Sequence, residues 1–271
     1  MSKFTVFGGR GFIGSEFVKE LKTQSNEVFI PERGNTSIYD VDLGTVIYCA
    51  GYGDCEKDPF NVLTANLVLL SSLLQNAKFD NLVYISSTRV YMNQELSCED
   101  NDLKITQDDE RKLFNLTKLA AEELCLKSGR DCLIIRPSNV YGLALNSTLF
   151  LPSIIRNAIN KSQVDMYISP SYAKDYVSVS DVVESTLALL KVKPTPRVVN
   201  VAYGQNVTAQ EISEVLTINT NTKINWLKSN LNSCEIFPET DISQLKELID
   251  YKPRYVLDDL KLLIDEFKNK L

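Results

Sequence analysis

The residues with the clearest chemistry in this 271-residue chain are glycines. In VFGGRGFIG, residues 6–14, Gly8, Gly11 and Gly14 are spaced G-x-x-G-x-x-G between a β-rich apolar run and a helical pattern. That spacing suits a dinucleotide's diphosphate. Gly8 permits a tight turn, Gly11 lets the ligand approach the backbone, and Gly14 lets the helix pack closely on the strand. Arg10, Phe12 and Ile13 complete the loop, and the diphosphate is expected on the free N–H groups at the positive end of the helix dipole. Glu32 and Arg33 follow the second strand pattern. A carboxylate there accepts from the ribose 2′-OH of NAD, whereas a guanidinium holds the 2′-phosphate of NADP. Arg10 adds a second cation, so NADP is expected, with NAD as the alternative.

Composition narrows the remaining chemistry. The chain has no histidine, which excludes a Ser-His-Asp or Cys-His mechanism and a histidine-ligated metal; no metal site is expected. None of the six cysteines forms C-x-x-C, and no signal peptide precedes the first strand, so reduced thiols and a cytoplasmic location are expected. A net charge of −6 argues against a nucleic-acid coat, and no apolar run reaches membrane-spanning length.

The elements that must hold these residues alternate. Apolar runs KFTVF, EVFI, TVIYCA, NLVYIS, DCLIIRP and RVVNVA read as strands. SEFVKELKTQ, FNVLTANLVLLSSLLQNAK, DDERKLFNLTKLAAEELCLK and DVVESTLALLK read as helices. The pattern predicts an α/β fold, a doubly wound parallel sheet covered on both faces. Residues 31–44 leave no room for a full strand-helix crossover, so the sheet edge is expected to be shortened near 34–44. Helix 62–77 is apolar on more than one stripe, which predicts a homodimer formed through helices 62–77 and 110–128.

Eight motifs then occur in one order: GGRGFIG, VIYCAG, TANLVLLSSLLQNA, VYISSTRVY, LTKLAAE, IIRPSNVYG, AKDYVSVSDVV and VVNVA. Together they resemble the extended short-chain dehydrogenase/reductase family, the branch of nucleotide-sugar epimerases, dehydratases and ketoreductases. The resemblance covers about residues 3 to 215. It implies a Rossmann-type core over 1–142, with 172–202 returning to it, and a small C-terminal substrate-binding lobe formed mainly by 143–271. It implies that Cys49, Ala50, Gly51, Asn66, Ser86 and Pro137 line the cofactor, beside the glycine loop. Lys118 would bind the nicotinamide ribose, Ser87 would hold the reacting oxygen, and Thr88, Asn139 and Lys174 would face a nucleotide-sugar substrate.

The family's tyrosine, four residues before the lysine, is absent: position 114 is Phe, and Y-x-x-x-K occurs nowhere else. Phe114 fills the slot but cannot carry a proton. Three readings stay open: a deliberate Tyr-to-Phe replacement in a working enzyme, another proton donor, or binding without catalysis as a sensor or scaffold. Thr88 and Arg89 follow Ser87 where a dehydratase would usually carry an acidic pair, so the resemblance favours a 4-keto sugar reductase or a 4-epimerase.

Overall fold

A computed structural model describes residues 1–227 and 235–271. Its centre is a six-stranded, all-parallel sheet. The strands, in spatial order, are β2 (Glu27–Phe29), β1 (Lys3–Phe7), β3 (Thr45–Tyr48), β4 (Asn81–Ile85), β5 (Cys132–Pro137) and β9 (Val198–Val201). Side chains alternate between two cores. Val6, Ile47, Val83, Ile85, Leu133 and Ile135 enter one, and Phe7, Val46, Tyr48, Leu82, Tyr84 and Ile134 enter the other. Burial on both faces is why these strands read as continuous apolar runs. Helices α1 (Phe12–Thr23) and α6 (Val179–Val192) cover the first face; α3 (Leu69–Asn76) and α4 (Lys112–Lys127) cover the second. From β1 the chain winds first to β2 and then back to β3, so the sheet reverses its winding direction beside the glycine loop.

The edge beyond β2 is shortened as the spacing requires. Between Phe29 and Thr45 the chain makes only a 3-10 turn, Ser37–Tyr39. Buried Ile38 joins the second core, and the Tyr39 hydroxyl lies 2.7 Å from Ser72 Oγ on α3. These contacts seal the flank that a further strand and helix would otherwise cover.

The apolar run expected as one helix over 62–77 is interrupted. Helix α2 (Pro59–Leu63) opens into a π turn, Thr64–Val68, before α3 resumes. The widened turn has a physical partner. Tyr48 Oη donates to the Ala65 carbonyl at 2.6 Å, and Tyr84 Oη donates to the Asn66 carbonyl at 3.2 Å. Both tyrosines come from the sheet, so the register of strands and helix is pinned by polar tips on apolar rings.

A third core gathers α5 (Phe150–Lys161), α7 (Ala209–Thr220) and α9 (Val256–Lys270). They pack beside a three-stranded sheet of β6 (Asn139–Tyr141), β8 (Ala173–Ser178) and β10 (Asn206–Thr208). A parallel pair, β7 (Gln163–Met166) and β11 (Lys223–Trp226), joins them. Within 172–202, α6 and β9 meet the central sheet, whereas β8 pairs outside it. Helix α8 (Ser243–Leu248) also meets the central sheet, because buried Leu245 enters the first core. No helix among the described residues is long and apolar enough to cross a membrane.

A buried ion pair ties α4 to β5. Arg136 Nη2 meets Glu122 Oε2 at 2.6 Å, Ser86 Oγ donates to the same carboxylate, and Arg136 Nη1 donates to Tyr91 Oη at 2.6 Å. Tyr91 in turn donates to Asn200 Oδ1 at 3.0 Å. Removing one charge leaves the other buried and unpaired. Glu122→Leu is therefore expected to cost about 3–5 kcal/mol of unfolding free energy in urea, and Glu122→Leu/Arg136→Met to recover most of it. A single variant as stable as the parent would contradict this.

Candidate active site

The glycine loop forms its cradle through backbone contact. Gly8 has φ +75°, and a Cβ there would stand 2.8 Å from Ala50 N and from the Cys49 carbonyl carbon. A Cβ on Gly14 would overlap the Gly8 carbonyl. Gly11 differs: its N–H donates to Gly8 O at 2.8 Å, and a Cβ there would meet only that oxygen, at 3.2 Å. Gly11 is also the N-cap of α1, with no side chain capping the helix and no acid in its first turn. The first N–H groups of α1 thus have no partner within the helix and no side-chain cap. That arrangement fits a dinucleotide's diphosphate.

A cleft of about 790 Å³ opens over the loop. Of the residues expected to hold a cofactor, Gly8, Arg10, Gly11, Glu32, Arg33, Cys49, Ala50 and Gly51 line it. Its far wall comes from Asn61, Thr64, Val68 and Ser72. Phe12, Ile13, Gly14, Asn66, Ser86 and Pro137 stand behind this lining. Gly14 supports the loop from beneath. Asn66, fully buried, accepts from Tyr52 N at 3.0 Å and donates to Thr117 Oγ1 at 3.0 Å, which fixes the loop after Gly51. Ser86 gives its hydroxyl to Glu122. Arg10 Nη2 meets Glu32 Oε1 at 3.1 Å, both exposed, so one of the two expected guanidiniums is paired with the neighbouring acid. Burial pushes the Cys49 thiol up to about 12, so it serves as neutral wall.

Lys118 lies past the inner end of the cleft, carried on α4. It is 5% exposed and donates from Nζ to the Ile85 carbonyl at 2.8 Å. Nζ stands 4.8 Å from the centre of the Tyr84 ring and 5.7 Å from that of Phe114. A Cβ on Gly51 would stand 3.4 Å from Nζ and 3.2 Å from Asn66 Oδ1, so that glycine lies directly against the ammonium. Loss of water pulls Lys118 down to about 8, against the opposing charge of Glu122. Ser87 is half-buried and caps a 3-10 turn, Thr88–Tyr91, by accepting from Arg89 N at 3.1 Å. Phe114, one helical turn before Lys118, carries the Arg111 guanidinium 4.7 Å above its ring centre.

On the substrate side, Thr88 is buried and Asn139 is exposed, its Nδ2 donating to Asp175 O at 2.7 Å. Lys174 Nζ lies 5.0 Å from the Tyr172 ring and 4.7 Å from Phe237, with Glu235 Oε2 at 3.7 Å. Loss of water pulls Lys174 down to about 8, partly offset by Glu235. Asp175 accepts from Ser138 Oγ and from the N–H groups of Tyr203, Gly204 and Gln205, which locks β8 against the turn before β10. The sequence reading missed Arg111, Asp109 and Glu235. Arg111 had a usable signal, since it precedes Phe114 by three positions on one helix face. Glu235 had none, because its partners are distant in sequence.

The comparisons with known proteins fit this geometry. Residues 4–202 match the NAD dependent epimerase/dehydratase family. The chain belongs to that family. A dTDP-4-dehydro-6-deoxy-D-allose reductase from a Streptomyces species is 23% identical over 297 residues, covering 92% of this chain and 91% of the relative. MoeE5, solved with UDP-glucuronic acid and NAD, superposes with a TM-score of 0.85 at 20% identity, covering 99% of this chain and 100% of its own. RMD from Pseudomonas aeruginosa, solved with NADPH, gives a TM-score of 0.81 at 21% identity with full coverage of both chains. These two likenesses establish the fold of this family member.

The buried lysine has a measurable consequence. The folded value of Lys118 lies below its ordinary 10.5, so between about pH 8 and 10.5 the unfolded chain binds more protons and stability rises with pH. Below about pH 8 the cost of burying the charge is fully present. Lys118→Met lacks this dependence, while Lys174 retains its own in both proteins. Urea unfolding is expected to show parent stability rising relative to the variant between pH 8 and pH 10; an unchanged difference would contradict the assignment.

Proposed function

We propose that this family member is an NAD(P)-dependent reductase of a 4-keto nucleotide sugar, with 4-epimerisation as the alternative use of the same parts. The observation that carries this reading is the continuity of the site. An uncapped helix N-terminus opens on a cleft that reaches Gly51, and the Lys118 ammonium stands directly behind that glycine. A bound nicotinamide would supply hydride chemistry at the sugar carbon. Lys118 would bind the ribose hydroxyls, and Ser87 would hold the sugar oxygen. Lys174 would face the nucleotide diphosphate, and Thr88 and Asn139 would face the substrate. The activity of the Streptomyces relative supports reduction, and Thr88 and Arg89, in place of an acidic pair, speak against dehydration.

NADP is the preferred dinucleotide on this reading. Glu32 pairs with Arg10, and among the described residues Arg33 has no carboxylate within 4.0 Å, which suits a 2′-phosphate. A homodimer is supported by Phe60, Leu63, Leu116 and Leu126, exposed on the adjoining helices α2 and α4. The cytoplasm is the proposed location, on the cysteine usage. A second reading, cofactor binding without turnover, is favoured by Phe114 itself, which offers no proton to the sugar oxygen.

Phe114→Tyr separates the two. With NADPH and a panel of 4-keto nucleotide sugars, the variant is expected to reduce at least one of them about 10²–10⁴-fold faster than the parent. Absence of turnover by both proteins across the panel would overturn the reductase reading and favour the sensor.

A further inference from the structure

Charges around the substrate side of the site do not balance. Three cations converge there: Arg89, two residues beyond Ser87; Arg111, stacked on Phe114; and Lys174, at the start of β8. Two carboxylates face them. Asp109 is fully engaged, by Arg89 Nη2 at 2.6 Å, the Arg111 backbone N–H at 2.8 Å and Asn115 Nδ2 at 2.8 Å. Glu235 is engaged by Arg89 at 2.9 Å, Lys174 at 3.7 Å and the Tyr172 hydroxyl at 2.8 Å. The Arg111 guanidinium has no carboxylate within 4.0 Å among the described residues. Arg111 is exposed, whereas Arg89 is buried with its Nε unpartnered.

This surplus cation has a defined shape. The Arg111 guanidinium carbon lies 4.7 Å over the Phe114 ring centre, beside the slot that the family gives to the reacting sugar. A guanidinium matches a planar oxyanion with two parallel hydrogen bonds. The hydroxyls of a neutral hexose offer neither the charge nor the spacing. On the other side, Arg111 Nη2 lies against Gly53, 2.9 Å from where a Cβ would stand.

We infer that the sugar carries a carboxylate, and that Arg111 reads it: the substrate is a nucleotide-linked hexuronate or its keto form. The inference rests on the proposed nucleotide-sugar site and narrows its substrate class. It does not depend on turnover, so it can be tested while Phe114 is in place.

The test is calorimetric titration of the NADPH-loaded and NAD-loaded parent with two matched pairs, UDP-glucuronate against UDP-glucose and GDP-mannuronate against GDP-mannose. In at least one pair the uronate is expected to bind roughly tenfold or more tighter than the neutral sugar. Arg111→Gln should remove that preference while leaving neutral-sugar and dinucleotide affinity within about twofold, the latter showing that the variant is folded. Arg111→Lys, which keeps the charge without the fork, should fall between them. Equal binding within both pairs overturns the carboxylate inference and leaves the nucleotide-sugar site standing. Equal weakening of uronate and neutral sugar in Arg111→Gln also overturns it, assigning Arg111 to the diphosphate. Binding of neither pair by a dinucleotide-loaded protein overturns this inference and the nucleotide-sugar reading together.

Discussion

The first turn of α1 rests directly on the backbone of the strand-end loop, and no side chain can be placed between them. A Cβ at position 14 would overlap the Gly8 carbonyl, and one at position 8 would press on the chain at Cys49 and Ala50. Three backbone segments therefore meet where the winding of the sheet reverses. Their meeting leaves the N–H groups of the helix start facing the cleft. The floor of the cleft from Gly8 to Gly11 and its wall at Cys49, Ala50 and Gly51 follow from that contact.

Beyond the cradle, the site is organised by buried charge. Glu122 neutralises Arg136 and biases Lys118 one turn away on the same helix. Asn66 converts a widened helical turn into a clamp on the loop that passes over Lys118. These groups hold the lysine dry and fixed, the condition under which its charge acts most strongly on a bound hydroxyl. Phe114 sits within this arrangement as a hydrocarbon surface with a guanidinium over its ring.

Much of the fold was legible because the central sheet is buried on both faces. Continuous apolar runs such as NLVYI and CLIIRP have few other uses, and the short interval 31–44 foretold the truncated edge. The π turn at Thr64–Val68 was not legible, since it depends on tyrosine hydroxyls reaching across from β3 and β4. The small sheet of β6, β8 and β10 was missed for a related reason. Two of its strands, β6 and β10, have only three residues and carry too little periodicity, and Asp175 is held through backbone N–H groups rather than through a pattern of side chains. At the site, Gly8 and Gly11 were expected from spacing and Lys118 from the family resemblance, whereas the pairing of Arg10 with Glu32 and the convergence on Glu235 required the folded chain.

The most direct measurement of the central claim compares dinucleotide binding by the parent and by Gly11→Val. Position 11 is extended and a Cβ there meets only one atom at 3.2 Å, so the variant should melt like the parent while its side chain covers the bare helix end. The account predicts calorimetric binding of NADPH or NADH by the parent and at least a roughly tenfold loss in the variant. Equal affinity in the two proteins, or no binding by the parent at millimolar dinucleotide, would contradict it.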